Sequence, residues 1–209
     1  MEYKVAPQVN KDHYHFMKYN NKFTWMNFWY QTMYVLKFHP KNVLEIGPGN
    51  KVVTDFLRKE GVSVTTLDVD TRLEPDVVGS VDNLPLKDKS FDVVLCSEVL
   101  EHLPFDLFQK SLMEIKRVAK KNVVLCLPNA GAVFLLSWKL PLLKYNAVFF
   151  KLPFFWKRHK FNGEHYWETG KKGFQVSAIK KELGLAGFKI LKVKVFHDDP
   201  AHCFFILEV

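Results

Sequence analysis

The stretch Asn42-Val-Leu-Glu45-Ile-Gly47-Pro48-Gly49-Asn-Lys-Val-Val-Thr-Asp-Phe-Leu-Arg-Lys-Glu-Gly61-Val-Ser-Val-Thr-Thr-Leu-Asp68 decides the fold. An apolar run, Val43 to Ile46, breaks at Gly47-Pro48-Gly49; a helix-length segment reaches Gly61, and a second apolar run ends at Asp68. Strand, glycine turn, helix, strand is the unit that seats a nucleotide at the carboxyl edge of a parallel sheet. Gly47 and Gly49 allow a sharp turn and leave no Cβ between backbone and ligand. Asp68, at the tip of the second strand, sits where a carboxylate accepts hydrogen bonds from ribose hydroxyls.

The neighbours of the turn narrow the nucleotide. In dinucleotide sites this turn carries a pyrophosphate at a helix N-terminus. Glu45 stands two residues before Gly47, where its charge repels a phosphate and suits an ammonium or sulfonium. Val52 occupies the third position of a G-x-G-x-x-G pattern, so that fingerprint is incomplete. Both features favour S-adenosylmethionine over NAD.

Four blocks then follow in order: Glu45-Ile46-Gly47-Pro48-Gly49, Asp68, Gly79-Ser80-Val81-Asp82-Asn83-Leu84-Pro85-Leu86, and Ser90-Phe91-Asp92-Val93-Val94-Leu95-Cys96-Ser97-Glu98-Val99-Leu100-Glu101-His102. They resemble the successive motifs of class I S-adenosylmethionine-dependent methyltransferases, over roughly residues 40 to 128. The resemblance implies an α/β, Rossmann-like, seven-stranded mostly parallel sheet with helices on both faces and the last strand antiparallel. This chain adds a helical, aromatic insertion after the fifth strand, expected over residues 130 to 172. Glu45, Gly47, Pro48, Gly49, Asp68, Val69, Ser80, Val81, Asp82, Ser97 and Glu98 would hold S-adenosylmethionine and release S-adenosylhomocysteine. Where the family usually has Gly-Asp beside the adenine amino group, this chain has Gly79-Ser80; Ser80, Asp82 or the backbone near Val81 is left to read the adenine.

The 209 residues suit one domain with appendages, and a hydrophobic content of 48% argues against disorder. Within it we expect an N-terminal helical lid (1–40), a cofactor-binding core (41–128), a basic aromatic cap (129–172) and a closing helix and strands (173–209). Cys96, Cys126 and Cys203 lie far apart, without metal-ligand spacing, and fit reduced packing in the cytoplasm. The polar, aromatic N-terminus does not read as a signal peptide.

Phe16, Tyr19, Phe23, Met26, Tyr30 and Met33 mark one helical face between His13 and Phe38, either packed on the sheet or, as the family often has it, closing over the site. The strand after Asp68 begins already at Asp76, too soon for a crossover helix, so the second connection is trimmed to a turn or one helical turn at Thr71 to Pro75. Apolar positions from Phe105 to Ala119 predict a helix, Val123 to Leu127 a strand, Val176 to Leu185 a last helix, and Lys189 to Phe196 with His202 to Val209 two closing strands around Asp198-Asp199-Pro200.

The net charge of +8 is concentrated. Ile115 to Gly163 holds no acidic residue but carries Lys116, Arg117, Lys120, Lys121, Lys139, Lys144, Lys151, Lys157, Arg158 and Lys160. No apolar run there approaches the roughly 20 residues that span a bilayer. Leu, Phe and Trp mixed with Lys fit either a surface dipping into an anionic membrane from the cytoplasmic side or a cap whose lysines face water. The insertion ends in Phe161-Asn162-Gly163-Glu164-His165-Tyr166-Trp167-Glu168-Thr169-Gly170, similar to a His-x-Trp-Glu element of some bacterial family members associated with surface-sugar biosynthesis. His165, with Glu168 as its orienter or as the base itself, and His102 are the catalytic candidates. No acidic-Pro-Pro-aromatic tetrad follows the fourth strand and no catalytic cysteine motif is present. The expected acceptor is therefore an O or N atom of a small molecule or of a lipid- or sugar-linked intermediate. An RNA methyltransferase and an inactive cofactor-binding scaffold are the rival readings.

Overall fold

Strand-by-strand alternation of apolar residues builds the centre of the molecule. The computed structural model describes Pro7, residues 21–139, Pro141 and residues 146–209. Seven strands form one sheet in the order β3-β2-β1-β4-β5-β9-β8: β1 (Asn42–Ile46), β2 (Ser63–Asp68), β3 (Val77–Val78), β4 (Phe91–Ser97), β5 (Ala119–Pro128), β8 (Lys189–Phe196) and β9 (Asp199–Glu208). The first five run parallel; β9 is antiparallel to both β5 and β8.

Successive side chains leave opposite faces of a strand, so each central strand feeds two cores. Val43, Val93, Leu95, Val124, Cys126, Phe204 and Ile206 pack against Tyr30, Tyr34 and Val35 of α1 (Lys22–Leu36) and Val53 and Leu57 of α2 (Val52–Lys59). Leu44, Ile46, Val94, Cys96, Leu125, Leu127, Cys203 and Phe205 pack on the other face against Leu112, Ile115 and Val118 of α3 (Phe108–Val118) and Ile179 and Leu183 of α4 (Val176–Leu185). A strand buried on both faces reads as a continuous apolar run, as β4 and β5 do.

The trimmed crossover is a single 3-10 turn, Thr71–Leu73, capped by Asp70, whose carboxylate accepts from the Arg72 backbone N–H at 3.0 Å. Asp76 then locks the short connection by accepting from the Thr66 backbone N–H at 2.8 Å.

Two expectations change. The insertion after β5 is a β-hairpin, β6 (Gly131–Trp138) and β7 (Asn146–Pro153), not a helical element. A short apolar run is ambiguous between the two periods, and the β-branched and aromatic residues along it fit a pleated strand. The buried face of α1 is Asn27, Tyr30, Gln31, Tyr34 and Val35, rotated from the one expected; of the six residues expected, Phe23 is exposed and Tyr30 buried. Two polar residues on the buried face misled the apolar count: Asn27 Nδ2 donates to buried Asp199 at 3.1 Å and Gln31 bonds Asn27. The part of this helix expected at residues 13–20 lies outside the described residues.

Candidate active site

The glycine turn is conformationally forced. Gly47 has φ +71°, and a Cβ there would lie 2.3 Å from Val99 Cγ2; Gly49 has φ +51°. With no side chain on either residue, the carboxyl edge of β1 opens into a cavity of about 430 Å³. That is within the range of roughly 300–1,000 Å³ common for small-molecule sites.

Glu45, Gly47, Pro48, Gly49, Asp68, Val69, Ser80, Val81, Ser97 and Glu98 all line this cavity. Thr24, Asn27, Phe28 and Gln31 of α1 line it as well. Asp82 does not: it bonds Ser80 Oγ and pairs with Lys110 Nζ at 3.0 Å, so its charge is used to hold the loop after β3. The walls hold Glu45, Asp68, Asp70, Glu98 and Glu164, and no described lysine or arginine.

Burial tunes these acids. The Glu45 carboxyl is pushed up to about 7 by burial, opposed by a 2.5 Å hydrogen bond from Thr54 Oγ1 on α2 and by Arg58. Asp68 is raised by burial too, while its Oδ1 accepts the Asp70 backbone N–H at 2.8 Å. Glu98 takes a left-handed φ of +54°, and burial, with Glu101 and Asp199 nearby, holds it well above the usual carboxylate range. A non-glycine residue at positive φ is uncommon and occurs where the surroundings dictate it. Here the Glu98 N–H donates to Cys126 O at 3.0 Å on the neighbouring strand.

His102 and His165 reach the cavity from two segments distant in sequence. The loop around His165 is pinned onto the loop after β4: the Tyr166 N–H donates to Glu101 O at 2.8 Å and Trp167 Nε1 donates to Leu103 O at 3.1 Å. His165 Nδ1 lies 3.2 Å from Glu168 Oε1, and Glu168 is held in turn by Lys171 Nζ at 2.8 Å. The hydrogen bond to His165 draws the Glu168 carboxyl down to about 2 against its partial burial. Burial lowers the His165 imidazole, but the Glu168 hydrogen bond and the surrounding carboxylates outweigh it and raise it. Glu168 itself does not line the cavity; it acts on His165.

One site residue escaped the sequence reading. His202, on β9, also lines the cavity. Its Nδ1 bonds Asp199, which is fully buried, and its Nε2 lies 3.6 Å from Glu98 Oε2. A carboxylate on one ring nitrogen fixes the tautomer and leaves the other nitrogen for proton transfer. The signal in sequence was Asp199-x-x-His202, read only as a turn and a strand start.

Comparison with known proteins agrees with this geometry. Residues 44–127 match the family described as methyltransferase domain. The ubiquinone biosynthesis O-methyltransferase of Hydrogenovibrio crunogenus is 27% identical over an alignment spanning 31% of this chain and 33% of that protein. The chain thus aligns with about a third of the length of its curated relative. The N1-methyltransferase of Burkholderia thailandensis that acts on 1,6-didemethyltoxoflavin, solved with that compound and S-adenosylhomocysteine, superposes with a TM-score of 0.61 at 16% identity, covering 94% of this chain and 84% of that one. An S-adenosylmethionine-dependent methyltransferase of Clostridium acetobutylicum superposes with a TM-score of 0.60 at 10% identity, covering 95% and 96%. Residues 44–127 thus carry a methyltransferase domain, and most of the chain has the fold of solved S-adenosylmethionine-dependent methyltransferases.

Proposed function

We propose that the chain moves the methyl group of S-adenosylmethionine to an oxygen or nitrogen atom of a small-molecule or lipid- or sugar-linked acceptor. The observation that carries this is the cavity at the glycine turn, walled by carboxylates and by no described lysine or arginine. Such a wall repels nucleotide phosphates and favours a ligand bearing an ammonium and a sulfonium. Asp68 accepts from the ribose hydroxyls, Glu45 faces the cationic half, and Ser80 with the Val81 backbone borders the adenine.

The sulfonium of the bound cofactor supplies the leaving group and the chemical drive. The chain aligns the acceptor with the methyl carbon and takes its proton. When the acceptor is a hydroxyl, its oxygen bonds the methyl carbon as the carbon–sulfur bond breaks, sulfur keeps the electron pair, and the proton passes to an imidazole on the wall. His165, oriented by Glu168, and His202, oriented by Asp199, are the groups placed for that proton.

Contact with an anionic membrane surface belongs to this reading. Phe134, Leu136, Val148 and Phe150 of the hairpin are 58–67% exposed, and Lys139, Lys157, Arg158 and Lys160 are exposed on or beside it. Apolar side chains rimmed by cations suit the interfacial region of an anionic bilayer. No described residue from 129 to 163 lines the cavity, so this surface is available without uncovering the site. Among the described residues no helix is long and apolar enough to cross a membrane.

The test is transfer of label from methyl-labelled S-adenosylmethionine into three pools: soluble metabolites, extracted lipids presented in phosphatidylglycerol vesicles, and RNA. Label is expected in one of the first two and not in RNA. Label confined to RNA would install the RNA methyltransferase reading, and cofactor binding without label in any pool would leave an inactive scaffold.

Glu45 adds a pH dependence. Its carboxyl is raised by burial to about 7, so the native state favours the protonated form. The stabilisation of the free protein from that form is complete below the ordinary carboxylate range and is lost as pH rises through about 7. Binding a cationic ligand requires the ionised form, so cofactor affinity moves the other way. S-adenosylmethionine is expected to bind about tenfold more tightly at pH 8 than at pH 6, and Glu45→Gln to flatten that slope. Calorimetric titration at both pH values reads it; an equal slope in the variant would remove Glu45 from the cationic contact.

A further inference from the structure

Beside the cofactor cavity lies a buried carboxylate without a hydrogen-bond partner. Glu101 is fully buried, and neither of its carboxylate oxygens has a hydrogen-bond partner. Ionised, its charge is met only across space by the His165 imidazole; protonated, its hydroxyl still has no acceptor. Buried polar groups left this way are rare and costly, and ask for a missing partner.

What surrounds Glu101 identifies the chemistry of that partner. One ligand atom each from Glu101, His102 and His165 lie within 4.8 Å of one another. The two imidazole rings meet edge to face with centroids 5.0 Å apart. Small rotamer adjustments bring such a set to metal–ligand distances of about 2.1 Å. Both rings are also prepared for it. His102 Nδ1 lies 3.1 Å from the Glu164 carbonyl oxygen, which can only accept, so the Nδ1 carries the proton and the ring lone pair is on Nε2. His165 Nδ1 is likewise committed to Glu168 Oε1 at 3.2 Å, with Lys171 holding the far oxygen of that carboxylate at 2.8 Å. A carbonyl or carboxylate on the far nitrogen is the outer shell that orients metal-binding histidines. The chain backbone supports the same geometry, because Tyr166 N–H donates to Glu101 O at 2.8 Å and fixes the two loops together.

We infer that Glu101, His102 and His165 form a divalent-cation site on the wall of the cofactor cavity, and that the acceptor binds this cation through oxygen. Two imidazoles and one carboxylate suit a borderline first-row ion such as manganese, cobalt or zinc better than calcium or magnesium. Three protein ligands leave coordination positions open for the acceptor. Because His102 and His165 line the same cavity as Glu45 and Gly47, an acceptor held there is presented to the methyl donor. A hydroxyl coordinated to such an ion ionises far more readily than a free one. This selects an oxygen acceptor over a nitrogen one, and one with a second oxygen able to chelate over a simple alcohol. It also divides the labour, giving His165 to the cation and leaving His202 with buried Asp199 as the proton acceptor. The inference deepens the methyltransferase reading and rests on it for the acceptor, but the cation site can be tested without it.

The experiment is titration of the metal-free full-length protein with cobalt(II), followed by visible absorbance and calorimetry, with S-adenosylhomocysteine binding measured on every variant. Wild type is expected to bind one equivalent with a nitrogen–oxygen spectrum and without the intense near-ultraviolet band of a cobalt–thiolate bond. Glu101→Gln and His165→Asn are each expected to weaken cobalt at least tenfold, and Glu168→Gln by roughly 10–100-fold through the outer shell. Glu101 does not line the cavity, so Glu101→Gln should keep its S-adenosylhomocysteine affinity within about twofold. If Glu101→Gln does not fold, His165→Asn gives the answer by itself. Wild type without bound cobalt, or variants that bind it as tightly as wild type, would overturn the site. Cobalt bound without S-adenosylhomocysteine would instead overturn the cofactor reading and leave the cation site standing.

Discussion

Asp68→Ala is expected to weaken S-adenosylmethionine and S-adenosylhomocysteine binding by about 100-fold or more. Hydrogen bonds to a charged acceptor are worth about 1.5–3 kcal/mol each. A carboxylate at the tip of β2 can accept from both ribose hydroxyls, so its loss removes about 3 kcal/mol or more, and each 1.4 kcal/mol is tenfold. The cost to the fold is smaller. Asp68 accepts the Asp70 N–H at 2.8 Å, a bond worth about 1 kcal/mol, with a lesser contribution from the Val69 N–H. The Asp70–Arg72 contacts that shape the following turn do not involve it. Asp68→Asn keeps an oxygen for Asp70 and for one hydroxyl and should fall between the two. Calorimetry on all three proteins, with NAD as a control that should not bind, separates loss of the ligand contact from loss of the fold. An alanine variant that binds S-adenosylhomocysteine within threefold of wild type would remove Asp68 from the ribose contact.

How far the sequence carried the structure depended on which interactions were local. The strand–turn–helix–strand unit was legible because Gly47 and Gly49 mark a backbone that other residues resist, and because β4 and β5 carry the apolar runs Val93 to Cys96 and Val123 to Pro128. Helix α4 was legible to the residue, its apolar face running from Val176 to Leu185 before Gly187 at φ +79°. The misses share one cause: each depends on partners far away in the chain. Asn27 and Gln31 are polar and fall outside any apolar count, until Asp199 supplies the partner that lets Asn27 be buried. His202 read as a strand residue until β9 inserts between β5 and β8 and carries it to Glu98. Glu101 stands beside His102 in the sequence, but only the return of the chain at His165 makes the pair a cluster. The hairpin was missed for a different reason. β6 is exposed along most of its length and β7 turns apolar Val148, Phe150 and Leu152 outward and Lys151 inward, so no alternation of buried apolar and exposed polar residues was there to set the period.

That return of the chain rests on Trp167, and Trp167→Ala is the substitution expected to cost most in stability. The side chain is fully buried, with its ring edge-on to Phe105 and Phe108 at centroid distances of 5.1 Å and against Phe174 at 5.8 Å. Truncating a buried tryptophan costs about 3–5 kcal/mol from lost transfer energy and the cavity left behind. Against a total stability of about 5–15 kcal/mol this is severe, and the melting temperature should fall by about 10 °C. Trp138→Ala, on the exposed hairpin at 41% exposure, should change it by less than about 2 °C. Trp167→Phe separates the two roles of the ring. It keeps most of the packing but leaves the Leu103 carbonyl without the 3.1 Å bond from Nε1, which should cost about 1–3 kcal/mol. The functional consequence is directional. Trp167 fastens residues 164–168 to the loop after β4 and does not line the cofactor cavity, so cobalt affinity should drop more than S-adenosylhomocysteine affinity in any variant that stays folded. Equal losses of both would mean that the His165 segment and the cofactor cavity open as one unit. A loss of the ligand alone would contradict the assignment of Trp167 as the pin of the cation site.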